Sequence, residues 1–232
     1  MKTKEEIVSS LKQFDVGNRF SHVSVFPKAS VLIPLFVRKG ELCTLMTQRS
    51  EQLRTSAGEV CFPGGKCDPG DTDEVATALR EAQEEIGLPP DHVQVVCRLF
   101  PIISKWVCLS PLFPQSGLIV TPVIGFIDEA FRATPNPAEV SAVFTVALDF
   151  FTSTKDHHAA DDATETAGQL HFFYFEDPDT GRCYHILGLT AMFAITVAAL
   201  ALRKKPEFEI DFDIKKPLSF FEQLLIRRMN KL

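Results

Sequence analysis

Residues 62–88 read FPGGKCDPGDTDEVATALREAQEEIGL, and this stretch decides how the chain folds. After a Gly-Gly pair and a Pro-Gly turn, residues 72–86 carry apolar side chains at helical spacing. These apolar residues are Val75, Ala78, Leu79, Ala82 and Ile86. Gly87 then provides a helix stop, and Pro89 and Pro90 follow it. The pattern predicts a loop, a helix and a second loop of defined length.

Three carboxylates crowd this predicted helix, at Glu81, Glu84 and Glu85. Like charges three or four residues apart on a helix repel by about 0.2–0.5 kcal/mol per pair. Their crowding makes physical sense if a divalent cation binds there, because hard carboxylate oxygens are ligands for Mg²⁺ or Mn²⁺. Backbone N–H groups at Gly64 and Gly65 would face phosphate oxygens. The alternative is a solvated acidic helix paired with Arg80.

Charge and composition limit the class of partner. The 232-residue chain has 24 Lys and Arg against 30 Asp and Glu, a net charge of −6. It therefore has no general attraction to nucleic acid or to anionic membranes, so we expect a small-molecule substrate and no nucleic acid partner. The 45% hydrophobic content supports a full core. We predict an N-terminal helical extension over residues 1–27, one domain over residues 28–203 and a C-terminal extension over residues 204–232.

The remaining sequence predicts an α+β fold, with helices against the faces of a mixed sheet. Strands are predicted at residues 29–37 and 42–47, which form a hairpin, and at 93–100, 118–127, 143–146, 170–175 and 183–187. Amphipathic helices are predicted at residues 2–14 and 219–229, and residues 208–214 alternate apolar and charged side chains. The uncharged residues 186–202 are near the lower limit for a membrane span, and we predict a buried core helix instead.

Three smaller features complete the pattern. The six cysteines lack metal-site spacing, so we expect reduced thiols. Residues 153–168, with His157, His158, Asp161 and Asp162, are predicted to be a polar surface loop, and a metal cluster there is the alternative. Residues 104–116 replace a short turn between two strands, either as a flap near the substrate or as an insertion.

The helix and its Gly-Gly pair resemble the signature of the Nudix hydrolase family. Gly65 corresponds to the opening glycine, Arg80-Glu81 to the central pair, Glu84-Glu85 to the metal-binding pair and Gly87-Leu88 to the end. Asp71 stands where the signature has a glutamate, with one extra residue before Arg80. The resemblance implies a Nudix fold, a mixed β-sheet in an α/β/α sandwich.

Residues 45–65 resemble the additional motif of the coenzyme A branch of this family. The motif runs L-[apolar]-T-x-R-S at residues 45–50, then Arg54, Gly58 and FPGG at residues 62–65. It implies hydrolysis of the diphosphate bond of coenzyme A and acyl-CoA, which yields 3′,5′-ADP and 4′-phosphopantetheine or its acyl form, with Mg²⁺ or Mn²⁺. The implied metal and catalytic residues are Glu81, Glu84 and Glu85, and the implied substrate-binding residues are Arg49, Arg54, Gly64, Gly65 and Lys66. Asp71 and Glu139 are possible additional carboxylates.

Two other functions stay open at this point. One is hydrolysis of another dinucleotide, such as NADH or an ADP-sugar, against which the complete upstream motif argues. The other is a Nudix-like module that binds nucleotides without cleaving them, against which the three helix glutamates argue.

The last three residues, Asn230-Lys231-Leu232, resemble the S-K-L peroxisome signal. They predict a peroxisomal location and an import receptor as a partner, and a cytoplasmic location is the alternative. Residues 1–14 lack the features of a secretory or transit peptide.

Overall fold

The fold is built around one mixed sheet, seen in a computed structural model that describes residues 3–20, 26–105, 117–161 and 169–230. The strands β1 to β11 are Lys28–Arg38, Glu41–Arg49, Val60–Cys61, Gly64–Lys66, Gln94–Arg98, Ile102–Lys105, Gly117–Phe126, Val140–Ala147, His157–Asp161, Gln169–Glu176 and Cys183–Leu187. The helices α1 to α4 are Lys4–Lys12, Glu74–Ile86, Gly188–Leu202 and Pro217–Asn230. Short 3-10 turns occupy Pro90–His92 and Leu148–Thr152.

β1 is the central strand, and its neighbours run in both directions. It pairs parallel with β7 and antiparallel with β2 and β4. Alternate β1 residues pack on opposite faces: Leu32 contributes to the core beneath α2, and Ile33 to the larger core that contains α3. Because both faces are covered, β1 is nearly continuously apolar. This arrangement confirms the predicted mixed sheet between helical layers.

Local signals define the elements that surround the site. Lys39 and Gly40 have φ of 49° and 87°, the left-handed pair that a two-residue β-hairpin favours between β1 and β2. At the start of α2 the Asp73 carboxylate accepts a hydrogen bond from the Ala76 N–H at 2.8 Å. At its end Gly87 has φ of 69° and donates to the Gln83 carbonyl oxygen. The predicted hairpin and helix are both confirmed.

The prediction of a surface loop over residues 153–168 is wrong for residues 157–161. These form β9, which pairs antiparallel with β10 and extends a second sheet of β9, β10 and β11. The His157 ring stacks on Phe208 at 3.7 Å between centroids, and its Nε2 lies 3.0 Å from His171 Nδ1. Aromatic contacts therefore hold His157 in place, while residues 158–160 remain exposed as predicted and only the loop assignment is wrong. Residues 153–156 form bends and turns, and residues 162–168, which include Asp162, lie outside the described residues.

Residues 208–214 form no strand, although their side chains alternate. Phe212 is buried and packs on Phe221 with 5.4 Å between the ring centroids. This contact anchors an irregular segment to the core. The expected flap or insertion falls mostly at residues 106–116, which lie outside the described residues. The strands on either side of it pair, with Lys105 opposite Gly117.

α3 is a buried core helix of 15 residues, as predicted. Within the described ranges, no helix combines the length and the apolar character that crossing a bilayer requires. The domain boundaries at residues 27 and 203 stay a prediction.

Candidate metal and diphosphate site

The glycine turn and α2 together bury two of the predicted glutamates. Glu81 and Glu85 are one helical turn apart, so they lie on the same face of α2 and point to the Gly64-Gly65 strand. Glu85 is 3% exposed, and its Oε2 accepts a hydrogen bond from the Gly64 N–H at 3.1 Å. The Gly64 N–H, expected to face phosphate, therefore orients a carboxylate instead. Gly65 lies against the carboxylate of Glu81.

Glu139 supplies a third carboxylate from a distant part of the chain. It directly precedes β8, whose first residue Val140 pairs with Arg49 at the end of β2. The Ser50 N–H donates to the Glu139 carbonyl oxygen at 2.8 Å. As a result, carboxylate oxygens of Glu81, Glu85 and Glu139 all lie within 4.8 Å of one another. These three residues are called the carboxylate group below.

Asn136 connects the two chain segments that form the carboxylate group. Its N–H donates to the Glu85 carbonyl oxygen at 2.9 Å, and its Nδ2 donates to Glu139 Oε1 at 3.3 Å. The Thr134 N–H likewise donates to the Ile86 carbonyl oxygen at 2.9 Å. Carbonyl groups in the last turn of a helix have no partner within the helix, so this loop satisfies them while it docks. Sequence reasoning did not assign a role to Asn136. The signal for that role is its position in the run Asn136-Pro137-Ala138-Glu139, three residues before the carboxylate it contacts.

The electrostatics of the carboxylate group favour a bound cation. Burial raises the pKa of Glu85 to about 8, and the nearby charges of Glu81 and Glu139 act in the same direction. The Gly64 hydrogen bond and Arg49, whose Nη1 lies 3.9 Å from Glu85 Oε1, oppose this shift only in part. Burial also raises the pKa of Glu81, against the effect of Arg80. Three converging carboxylates in this environment fit a hard divalent cation with oxygen ligands.

Arg80 lies beside the carboxylate group and is bound mainly by Asp71. The Arg80 Nε and Nη2 donate to the two Asp71 oxygens at 3.0 Å each, a bidentate pair. These hydrogen bonds hold the pKa of Asp71 well below its usual range. Asp71, considered above as an additional carboxylate of the site, thus lies on Arg80 rather than in the carboxylate group. In this chain Asp71 is a partner for Arg80, and its role as an additional carboxylate of the site stays a prediction.

Glu84 is also placed apart from the carboxylate group. Its side chain is 51% exposed, and its Oε2 accepts a hydrogen bond from Arg80 Nη1 at 2.9 Å. The structure brings Glu81 and Glu85 together with Glu139, whereas Glu84 faces solvent one ridge away. Its role as a metal ligand stays a prediction.

A cleft opens beside the carboxylate group, on the face of the sheet that α3 covers. Arg49, Gly64, Gly65 and Lys66 are among the residues that line it. Arg49 Nε is buried without a hydrogen-bond partner among the described residues, so it is a donor that a bound anion could satisfy. Arg54 is exposed in the loop after β2 and is not among the residues that line the cleft. The predicted phosphate contacts are therefore divided between the cleft and a surface loop.

Comparisons with known proteins identify relatives of this chain. The NUDIX domain family model matches residues 26–162. The chain is 42% identical over 226 residues to the mouse protein named peroxisomal coenzyme A diphosphatase NUDT7. That alignment covers 97% of this chain and 91% of that protein. It is 41% identical over 185 residues to Nudix hydrolase 22, chloroplastic, of Arabidopsis thaliana, with 78% of this chain and 57% of that protein covered. The chain is 40% identical over 147 residues to the uncharacterized Nudix hydrolase NudL of Photorhabdus laumondii. That alignment covers 63% of this chain and 72% of that protein.

The family model covers more than half of the chain, and the mouse relative aligns with nearly all of it. The family predicted from the glycine turn and the acidic helix is thereby confirmed. This chain belongs to the Nudix hydrolase family.

Proposed function

We propose that this chain hydrolyses the diphosphate bond of coenzyme A and of acyl-CoA esters. Water would add across the P–O–P bond, and the products would be 3′,5′-ADP and 4′-phosphopantetheine or its acyl form. One observation carries the proposal: the chain shares 42% identity over almost its whole length with a protein named as a coenzyme A diphosphatase. The intact motif at residues 45–65 supports the same substrate.

Nudix hydrolases depend on divalent metal ions, and we propose Mg²⁺ or Mn²⁺ for this chain. Glu81, Glu85 and Glu139 would hold the cation, since their oxygens converge within 4.8 Å. When bound, such a cation stabilises charge on phosphoryl oxygens and lowers the pKa of water. Glu84 stays a candidate ligand from the signature.

Basic residues in and near the cleft would bind and orient the diphosphate. Arg49 is partly buried, and its Nε has no hydrogen-bond partner in the part of the chain that the structure describes, so its guanidinium can pair with a phosphate oxygen. Lys66 follows Gly65 in the lining of the same cleft and supplies a second positive charge. Arg54, on the exposed loop, would contact parts of the substrate that extend out of the cleft. A carboxylate near the attacking water would accept its proton.

The proposed reaction and its two alternatives predict different outcomes when candidate substrates are incubated with the protein. Coenzyme A, NADH and an ADP-sugar can each be incubated with the protein and Mg²⁺ or Mn²⁺ in ¹⁸O-labelled water, and the products analysed by mass spectrometry. We expect 3′,5′-ADP and 4′-phosphopantetheine, with one ¹⁸O atom in one product. Faster cleavage of NADH or the ADP-sugar would contradict the proposal that coenzyme A is the substrate. Binding without any cleavage would indicate a nucleotide-binding module. Glu85→Gln is the matched variant, because it removes one carboxylate charge at nearly constant size.

We further propose a peroxisomal location and recognition by a peroxisomal import receptor. The name of the mouse relative and the terminal Asn230-Lys231-Leu232 support this location. A fluorescent reporter fused ahead of residues 221–232 should enter peroxisomes, and replacement of Leu232 by Ala should abolish entry. A reporter that stays diffuse in the cytoplasm with the intact tripeptide would contradict the proposal.

A further inference from the structure

The central strand of the second sheet, β10, carries apolar side chains on both of its faces. A strand whose sheet has one face in solvent usually alternates apolar and polar residues, but β10 reads QLHFFYFE. Successive side chains point to opposite faces, so Phe173 packs inward, where it is fully buried, and Leu170, Phe172 and Tyr174 point outward. In the part of the chain that the structure describes, Leu170 and Tyr174 stay 41% and 42% exposed. The outer face therefore has the composition of a covered surface without a cover.

The strands on either side of β10 extend this outer face. The register places His158 on β9 and Leu187 on β11 opposite Phe172, and it places His185 on β11 opposite Tyr174. The rings contact one another across the strands. His158 and Phe172 stack with 5.6 Å between centroids, and His185 meets Tyr174 edge to face at 4.1 Å. The name aromatic face is used below for these six outward residues: His158, Leu170, Phe172, Tyr174, His185 and Leu187.

The aromatic face concentrates the exposed apolar surface of the molecule. Among the described residues, five large apolar side chains are exposed, and three of them, Leu170, Tyr174 and Leu187, lie on this face. None of its six residues is an Asp, Glu, Lys or Arg, although the chain has a net charge of −6. Charged residues flank it, at Glu176 and Arg182 beside the turn between β10 and β11. An apolar centre with a polar rim is the usual anatomy of a protein–protein interface.

Charge and size favour a second copy of this chain as the molecule that covers the aromatic face. Two acidic chains repel each other, and the repulsion is weakest where neither presents a charged side chain. A sheet face can pack on an identical face related by a two-fold axis, because each contact between two residues then forms twice. The exposed parts of the six side chains add up to about 400 Å² per copy, about half of what each partner buries in a stable complex. A dimer of this size dissociates at low concentration.

We propose that the aromatic face is the contact surface of a weak, reversible homodimer, in which two copies of this chain pack sheet against sheet around Tyr174. Tyr174 is the centre of the face, since its ring contacts the rings of both His158 and His185. Tyrosines at the centre of an interface contribute a large share of the binding energy. The proposal concerns the assembly of the chain, and it does not depend on the reaction proposed above.

Sedimentation velocity between about 1 and 200 µM measures the association, and we expect half of the chain to be dimeric at about 10–100 µM. Tyr174→Glu and Leu187→Glu each place a carboxylate on the aromatic face, so each should raise the dissociation constant about tenfold or more, whereas Tyr174→Phe should keep the dimer. Val95→Glu is the matched control, because it places the same charge on an exposed apolar residue of β5, outside the face. Melting temperatures show that each variant folds.

The exposed thiol of Cys183 reports where the two copies touch, since it lies on β11 opposite Glu176, at the edge of the aromatic face. Its alkylation by a maleimide, followed by mass spectrometry of the peptide that contains it, should slow about threefold or more between about 1 and 200 µM, and it should not slow in Tyr174→Glu.

Three results would overturn the proposal. A chain that stays monomeric at the highest concentration would assign the aromatic face to a different partner. A dimer that persists unchanged in Tyr174→Glu and Leu187→Glu would place the contact elsewhere on the molecule. Equal reactivity of Cys183 in the monomer and the dimer would do the same. Neither measurement needs turnover, so a negative result leaves the proposed reaction untouched.

Discussion

The backbone of Gly65 lies directly against the carboxylate of Glu81. A Cβ atom at residue 65 would lie 2.5 Å from the carboxyl carbon and from each of the two oxygens of Glu81. Real Cβ atoms do not approach so closely, so a side chain at this position must displace the glutamate. The glycine that opens the family signature is therefore required here by the space that the Glu81 carboxylate occupies.

The first prediction concerns Gly65→Ala. The added methyl group should push the Glu81 carboxylate out of the carboxylate group and weaken Mn²⁺ binding by about 10–100-fold. Mn²⁺ affinity is measured by titration calorimetry in the absence of substrate. Gly70→Ala is the matched control, because a Cβ there meets no atom within 4 Å. Equal affinities of the two variants would contradict the steric argument.

The second prediction concerns the stability of the metal-free protein. The Glu85 carboxyl has a pKa of about 8 in the folded protein, against an ordinary value of 4.5. Between these values the unfolded chain releases the proton while the folded protein retains it, so stability falls as pH rises. Glu85→Gln removes this cost. In EDTA it should raise the free energy of unfolding by on the order of a few kcal/mol at pH 8, with no gain below about pH 4.5.

Urea unfolding in EDTA at several pH values measures this difference. Glu84→Gln serves as the control, because that side chain is half exposed and its substitution should change stability little at either pH. Added Mn²⁺ should stabilise the unaltered protein and not Glu85→Gln, since only the former keeps the full carboxylate group. A pH-independent effect of Glu85→Gln would refute the burial argument.

The third prediction ranks four glutamates by turnover. Glu81→Gln, Glu85→Gln and Glu139→Gln should each lower kcat for coenzyme A by about two orders of magnitude or more. Glu84→Gln should lower it by less than about tenfold, because its carboxylate lies outside the carboxylate group. Steady-state kinetics on folded variants provides the comparison. Full activity of Glu139→Gln would remove that residue from the site.

The fourth prediction assigns a positioning role to Asn136. Its amide donates to Glu139 Oε1, so Asn136→Ala should release that carboxylate and weaken Mn²⁺ binding by about tenfold. The free energy of unfolding should fall by only about 1 kcal/mol. Ser141→Ala is the control, because the Ser141 hydroxyl bonds to the Gln48 and Arg49 carbonyl oxygens and leaves Glu139 alone. If both variants bind Mn²⁺ equally, Asn136 has only a structural role.

Elements whose signals are local were predictable from sequence. The α2 helix has its cap at Asp73, its apolar stripe and its stop at Gly87 within 15 residues of chain, and the Lys39-Gly40 turn needs only its two neighbours. In contrast, residues 157–161 were predicted to be part of a loop because their sequence is polar. They form a strand since a partner strand and the Phe208 ring are supplied from elsewhere in the chain.

The candidate site shows the same division. Helical periodicity places Glu81 and Glu85 on one face, and no such rule relates either of them to Glu139, more than fifty residues later. Nor does spacing show that Asp71 pairs with Arg80, because the side-chain directions depend on how the loop folds back on the helix.

By itself, the order of residues determined the acidic helix, its end points, the glycine turn before it and the family to which these belong. Only the tertiary structure decided which carboxylates meet, because β8 must pair with β2 before Glu139 can reach α2. The physical reason is that local backbone preferences act over a few residues, whereas convergence of charged side chains requires the burial and strand pairing of the whole sheet.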